Sequence, residues 1–379
     1  VIGTARYAAA LSRHLDPATA AGEVVGQVLD ATGPAPDLAV LAVSGSHRHA
    51  LDDLVAACGR LLAPGTLVGA AASGVLAGGE EVEDAPAVCL WAGRTGPVTP
   101  LRLETLPGRP PIVAGLPPAV PPAATVMVVA DPFSFDVDAL VTTLAAVAPG
   151  ARLVGGLASA GARPGENRLV LDDRVHHNGA VGVVLPPSVG VRCVVSQGCR
   201  PIGSPWVVTA AEGPFVLELG GRPALERVTE TLSRLSLDDR QLAARGLHLG
   251  VVARERGVEE FGPGDFLIRA VLGAEPRRQA LAVGDTVEVG QVVQLQVRDA
   301  RSADEDLRRA VAGLSGSSAL VFTCNGRGSH LFGTPGHDAS VVSGALAAPV
   351  AGMACAGELG PVGDRNAVHG FTASVVVFE

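Results

Sequence analysis

The sequence predicts an α/β fold in two domains, built from repeated β-α-β-β units with mixed sheets flanked by helices. A chain of 379 residues exceeds the size at which one hydrophobic core keeps growing, so two domains are the starting expectation. Apolar runs of strand length alternate with stretches whose apolar positions recur every three or four residues, the pattern of strands joined by helices that cover a sheet. The chain also repeats itself. Val40-Leu-Ala-Val43 laid over Val126-Met-Val-Val129 keeps register without a gap at an offset of 86. Leu54-Val55 then meets Leu140-Val141, Leu67-Val68-Gly69 meets Leu153-Val154-Gly155, and Ala72-Ser73 meets Ala158-Ser159.

A short helix from about Pro17 to Asp30 comes first. The two copies follow at 38–92 and 124–185, each reading as strand, polar loop, helix, strand and glycine-rich turn. Leu51, Leu54, Val55, Cys58, Leu61 and Leu62 fall on one helical face, as do Val137, Leu140, Val141 and Leu144. A further strand closes each unit, at 87–91 and at 179–185. The proline-rich stretch from Pro107 to Pro122 is expected to be a stiff connection between the copies.

A different texture follows. Strands are expected at 192–203 and from Phe215, the latter turning at Gly220-Gly221 before Pro223 opens a helix to about Leu235. A helical stretch at 238–244 precedes strands at 247–253 and 266–272, then a hairpin of 286–289 with 292–297 turning at Gly290-Gln291. The helix expected at 303–314 carries acids in its first turn and arginines later, as the helix dipole favours. A boundary near Gly221 gives domains 1–221 and 222–379. The C-terminal block resembles a third, looser copy: strand 319–324, helix 338–346, strand 349–353, turn, strand 373–378. Gly352, Ala354 and Gly357 there overlie Gly69, Ala71 and Gly74.

Composition excludes several classes. All 29 basic residues are arginine, which rules out a lysine Schiff base, a P-loop lysine and Ser-Lys chemistry. A net charge of −9 with 3% aromatics offers neither a basic stripe nor stacking platforms, so no nucleic-acid partner is expected. No apolar run has the ~18 residues of a membrane helix and no leader pattern is seen, so the reading is cytoplasmic, with no membrane partner. Six cysteines lack a C-x-x-C pair, and no histidine sits at metal spacing from them. No metal and no cofactor are expected; Gly69, Gly74, Gly78 and Gly79 do not fit a dinucleotide fingerprint.

The unexplained polar groups gather in two places. The strand at 319–324 runs into Asn325-Gly-Arg-Gly-Ser-His330, and the strand at 349–353 runs into Ala354-Cys-Ala-Gly-Glu-Leu-Gly-Pro361. Glycine-rich turns at strand ends are where an open α/β sheet builds a small-molecule pocket. The expected ligand-binding residues are Cys324, Asn325, Arg327, Gly328, Gly357 and Glu358, with Gly155 and Gly156 from the second copy. Arg327 offers a fork for a carboxylate, or for Glu358; a buried Glu358 requires a partner, which could be Arg327, a ligand amine or water. Together the two would suit a zwitterion. Asn325 is equally suited to forming the turn.

Five motifs in order and spacing resemble the FIST family, with its N-terminal and C-terminal FIST domains. They are Leu153-Val-Gly-Gly156 with Ala158-Ser159, Gln197-Gly-Cys-Arg-Pro-Ile-Gly203, Glu218-Leu-Gly-Gly-Arg-Pro223, Asn325-Gly-Arg-Gly328, and Gly357-Glu-Leu-Gly-Pro361 with Val368-His-Gly-Phe-Thr372. In the family the first glycine turn carries Cys-Ser-Thr-Ala-Gly-Glu, whereas Gly69-Ala-Ala-Ala-Ser-Gly-Val75 here lacks those polar side chains. The resemblance implies a non-catalytic sensory or signal-transduction module for an amino acid or related small polar metabolite, acting on a signalling protein in trans. Eukaryotic relatives join these domains to an F-box, which is not expected here. Two alternatives stay open: a thiol-dependent enzyme acting on an amide or ester through Cys324, or a protein-interaction scaffold.

Overall fold

The computed structural model describes residues 5–253, 261 and 264–379. It is an α/β structure of mixed sheets with flanking helices, as the alternating patterns predict, and its chain divides into two compact units. The first comprises Val1–Val195, Leu307–Val368 and Thr372–Glu379; the second comprises Ser196–Asp306 and His369–Phe371. Gly221, the expected boundary, lies inside the second unit, at the turn between strands Phe215–Leu219 and Arg222–Pro223.

The second unit is a ring of antiparallel strands. Strand Cys199–Glu212 pairs along its first half with Val292–Arg298 and along its second with Phe215–Leu219. Strands Leu247–Val252, Phe266–Glu275 and Ala280–Val283 complete the circuit. Closing the ring leaves no long unpaired edge, and Val208, Leu219, Leu249, Val293 and Leu295 fill a common core. The expected strand at 286–289 does not form. Val292–Arg298 pairs instead with Cys199–Glu212 and Leu247–Val252, while Val287 drops into the core and the Glu288 amide turns onto the Gln291 side chain at 2.9 Å.

The first unit holds three sheets with one layout. Each has a central parallel pair: Leu38–Ser44 with Thr66–Ala72, Thr125–Ala130 with Arg152–Leu157, and Ser318–Cys324 with Val350–Cys355. An antiparallel strand flanks each pair on one side: Val88–Gly93, Ala180–Leu185 and Thr372–Phe378, respectively. Outside these lie Tyr7–Ser12, Thr99–Leu106 and Val191–Gln197. The other side of each pair is completed by a hairpin from elsewhere in the chain. Leu169–Leu171 with Arg174–His176 adds to the first sheet, Glu358–Val362 with Arg365–His369 to the second, and Gly74–Ala77 with Glu80–Glu83 to the third. Each hairpin thus leaves its own sheet's neighbourhood and pairs with the next.

Two sequence expectations change here. The stretch 354–361 is not one long turn: strand pairing runs to Cys355, two residues turn, and Glu358–Val362 is again strand. Within 324–330 the turn is shorter than expected, because Gly328–Phe332 forms a helical turn. The proline-rich connection also contains a strand, Ile112–Ala114, paired with Thr99–Leu106.

The inner faces of the three sheets share one core, to which Val40 and Ala42, Met127 and Val129, and Phe322 and Met353 contribute. Tyr7, Trp91 and Phe378 cluster there, and the Trp91 Nε1–H donates to Ser318 Oγ at 2.7 Å. Helices cover the outer faces. Pro17–Thr32, capped by the Asp16 carboxylate on the Thr19 amide, and Leu51–Leu61 bury their apolar stripes on the first sheet; Val137–Val147, capped by Asp136, covers the second; His337–Leu346 covers the third.

Glycine is dictated at one position of every parallel pair. A Cβ at Gly69, Gly155 or Gly352 would lie 1.9 Å from the carbonyl oxygen of Leu41, Val128 or Val321, its register partner. Gly352→Ala is therefore expected to cost about 1–3 kcal/mol or more through forced backbone movement. Gly26→Ala in the first helix, where the added methyl meets nothing within 4 Å, is expected to stabilise by about 0.5–1 kcal/mol. Urea unfolding of the two variants against the parent checks both; equal effects would remove the close-approach explanation.

Candidate functional site

In open α/β sheets ligands bind outside the carboxyl ends of the parallel strands. The third pair ends at Cys324 and Cys355, and beyond it a cleft of about 40 Å³ is lined by Cys324, Asn325, Arg327, Gly328 and His330. The opposite wall belongs to the hairpin that completes this sheet, through Glu81 and Glu83, with Asp84 just beyond and Ser73 and Gly74 before it. A larger hollow of about 420 Å³ beside Gly65 and Leu67 sits at the amino end of the first pair and lacks this polar convergence.

Arg327 is almost fully buried, and its fork is already filled. Nε and Nη2 donate to the two Asp338 carboxylate oxygens at 2.7 and 2.8 Å, while the guanidinium lies 5.4 Å from the Phe332 ring centre. Asp338 also accepts from Thr323 Oγ1 at 2.5 Å and is bonded to His337 Nδ1 at 2.9 Å. Burial works against its charge, but the Arg327 guanidinium and these bonds outweigh it and hold the carboxyl well below the usual carboxylate range. Arg327 is therefore not an open receptor for a carboxylate, and its ion-pair partner is not Glu358. Of its five N–H groups, those on Nη1 have no partner among the described residues.

Glu358 is completely buried and does not line the cleft. Its Oε2 accepts from the Thr372 amide at 3.1 Å and from Thr372 Oγ1 at 2.8 Å, whereas Oε1 receives no N–H or O–H among the described residues. Burial pushes its pKa up from 4.5 to about 8, against the opposing pull of Thr372, of the Arg327 charge and of the Cys324 thiol, which reaches this carboxyl. Arg327 and Glu358 are thus electrostatic neighbours without touching as an ion pair.

Of the other expected residues, Asn325 and Gly328 line the cleft, whereas Gly155, Gly156 and Gly357 do not. Gly155 and Gly156 are register partners of Leu359 and Glu358. A Cβ on Gly156 would come within 2.4 Å of Cys355 Sγ, so the close packing of this sulfur requires glycine. The Gly357 carbonyl accepts from the Leu157 amide at 2.8 Å. Gly328 has φ +51°, and a Cβ there would meet Glu83 Oε1 at 1.9 Å. Asn325 is exposed at the rim, its amide donating to the Cys355 carbonyl at 2.8 Å.

Sequence reasoning missed Asp338, Glu81, Glu83, Ser73 and Ser159. Ser73 N–H donates to Ser159 Oγ at 2.9 Å, and Ser159 Oγ donates to the Ala354 carbonyl at 2.6 Å, so the ends of all three parallel pairs meet here. The offset that aligned Ala72-Ser73 with Ala158-Ser159 was the signal for these serines. Glu83 bonds the Ser329 amide at 2.9 Å and its hydroxyl, and Glu81 accepts from the Gly336 amide at 3.0 Å. Burial, with Asp338 and Glu83 nearby, pushes Glu81 up to about 7 in spite of that amide and of Arg327. No cluster of three metal-ligating side chains occurs among the described residues, and no described helix is long and apolar enough to cross a membrane.

Three linked sheets whose parallel strand ends meet at a polar cleft define an α/β protein of mixed sheets. The chain belongs to the FIST family: residues 37–222 match the FIST N domain and residues 224–361 match the FIST C domain. FIST domains are associated with sensing and signal transduction. It is 44% identical over 354 residues to an uncharacterised protein of Mycobacterium tuberculosis (strain ATCC 25618 / H37Rv), covering 91% of this chain and 92% of that one. An uncharacterised protein of Mycobacterium bovis (strain ATCC BAA-935 / AF2122/97) is 42% identical over 372 residues, covering 96% of each chain.

Two consequences can be measured. Asp338→Asn strands a buried guanidinium and is expected to cost about 3–5 kcal/mol, while Arg327→Met with Asp338→Leu should cost less than the single change; urea titration of both variants decides. Glu358 binds its proton more tightly folded than unfolded, so its contribution is present at low pH and declines as pH rises from about 4.5 to about 8. The melting temperature of Glu358→Gln should fall less across that window than the parent's, and parallel curves would contradict the shift.

Proposed function

We propose that the chain is a non-catalytic, small-ligand sensory module, and that its ligand is an amino acid or a related small metabolite recognised through its amino group. The observation that carries this reading is the charge of the cleft once Arg327 is discounted. With that guanidinium neutralised by Asp338, the remaining charged lining is acidic, from Glu81, Glu83 and Asp84. A cation desolvated among carboxylates gains more than it would at an exposed surface pair.

The carboxylate of such a ligand has a separate place to go. A wider hollow of about 430 Å³ at the end of the first parallel pair shares Ser73 and Asp84 with the cleft and adds Ser44, Ser46, Arg48 and Ser159. Arg48 is half-buried and donates through Nη1 to the Ala160 carbonyl at 3.1 Å, which leaves further N–H groups for an anion. An amino acid lying across Ser73 would meet acid at one end and Arg48 at the other. Signal output through a partner protein in trans fits a module of this kind.

Glu81 supplies the test. An ammonium favours its ionised form, so affinity for an amine should rise with pH through about 7. Thermal-shift screening of amino acids and their decarboxylated amines, followed by calorimetry of the tightest binder, is expected to show stronger binding at pH 8 than at pH 6 and a loss of about 1–3 kcal/mol on Glu81→Gln. No stabilisation by any amine, with carboxylic acids binding instead, would sink the reading.

A further inference from the structure

Cys324 and Cys355 stand side by side. They end the parallel pairing of Ser318–Cys324 with Val350–Cys355, where they are register partners. Strands so paired run about 4.8 Å apart, inside the range of about 4.4–6.8 Å between Cα atoms that a disulfide spans. Side chains of register partners point to the same face. Here that is the inner face, to which Phe322 and Met353, two residues earlier on each strand, contribute core side chains.

The two thiols differ in access. Cys324 lines the cleft, whereas Cys355 is sealed, with its sulfur packed over Gly156. The surroundings of Cys324 are those of a reacting sulfur. The Gly326 amide donates to its Sγ at 3.4 Å, the Arg327 guanidinium lies close enough to interact with it electrostatically, and its thiol reaches the Glu358 carboxyl. Two fully buried polar atoms flank this spot: Arg327 Nη1, whose N–H groups meet no acceptor among the described residues, and Glu358 Oε1, which receives no N–H or O–H from them. Cys324 is set apart: burial pushes the thiols of Cys58, Cys89 and Cys193 up to about 12, as expected of small core residues, and burial with the Glu358 charge raises that of Cys355 as well, so it reacts only as the resolving partner.

We propose that Cys324 and Cys355 form a redox couple, in which Cys324 reacts with a hydroperoxide entering through the cleft and Cys355 resolves the product to a disulfide. In its ionised form, which prevails above about pH 8, Glu358 takes the Cys324 proton. The thiolate attacks the terminal peroxide oxygen; an S–O bond forms, the O–O bond breaks, and the alkoxide leaves as the alcohol with the proton from Glu358. The Cys355 sulfur then attacks the sulfenic sulfur; an S–S bond forms, the S–O bond breaks, and hydroxide leaves as water with the Cys355 proton. Two thiols are oxidised to one disulfide as one hydroperoxide is reduced to alcohol and water, and an external dithiol reverses the change.

The test uses the full chain exposed to hydrogen peroxide, alkylated and digested for peptide mass mapping. The expected result is a cross-linked peptide joining Cys324 to Cys355, lost on treatment with a dithiol, while Cys58 and Cys89 remain alkylatable only after unfolding. Cys355→Ser should convert the same exposure into a sulfenic acid on Cys324 that a cyclic diketone traps; the parent should trap far less. Recovery of both cysteines as unlinked thiols, or oxidation of Cys324 to sulfinic acid with Cys355 untouched, would overturn the proposal. Should Cys355→Ser fail to fold, the parent's peptide map decides by itself.

Discussion

Arg327 carries its guanidinium into the interior of the first unit, where an unpaired charge would cost several kcal/mol, and Asp338 meets it with both carboxylate oxygens. This pair fixes what surrounds it. It anchors the start of helix His337–Leu346 to the turn that follows strand Ser318–Cys324, and it cancels the only arginine on the cleft wall among the described residues. What remains on that wall is acid from the hairpin Gly74–Ala77 with Glu80–Glu83, whose Glu83 in turn holds the Ser329 amide. Cleft polarity therefore follows from a packing requirement.

The hairpin exchange extends the same dependence through the unit. No sheet of this unit is complete without a hairpin from another stretch of chain, so the end of the third parallel pair is held by residues 246 and 255 positions away in sequence. Glycine at 69, 155 and 352 lets each parallel pair approach closely, and the serines and carbonyl at 73, 159 and 354 then join the three strand ends by hydrogen bonds. The oxidisable couple at 324 and 355 sits where these constraints meet, and so does Glu358.

Much of this was legible in the chain. Helices at 17–32, 51–61 and 137–147 show their apolar stripes and, for two of them, an Asp cap; the parallel strands show as apolar runs, and the turn after strand Ser318–Cys324 brings Cys324 and Arg327 to the cleft, whereas Glu358 meets Gly155 and Gly156 through strand pairing. The rest is non-local. Which strand a hairpin joins is decided by pairing over long separations, and nothing in Gly74–Glu83 names Val350–Cys355 as its partner. Glu358–Val362 was hidden by its glycine and proline, which read as turn residues although the segment pairs on both sides. Asp338 was hidden because an acid in the first turn of a helix is so ordinary that its burial against Arg327 leaves no mark in the sequence.

The measurement that bears most directly on the account is a crystal structure of the chain with the tightest-binding amine. The ligand ammonium is expected against Glu81 and Glu83, with the Arg327–Asp338 pair intact beside it. A ligand carboxylate seated on Arg327, with Asp338 displaced, would contradict it.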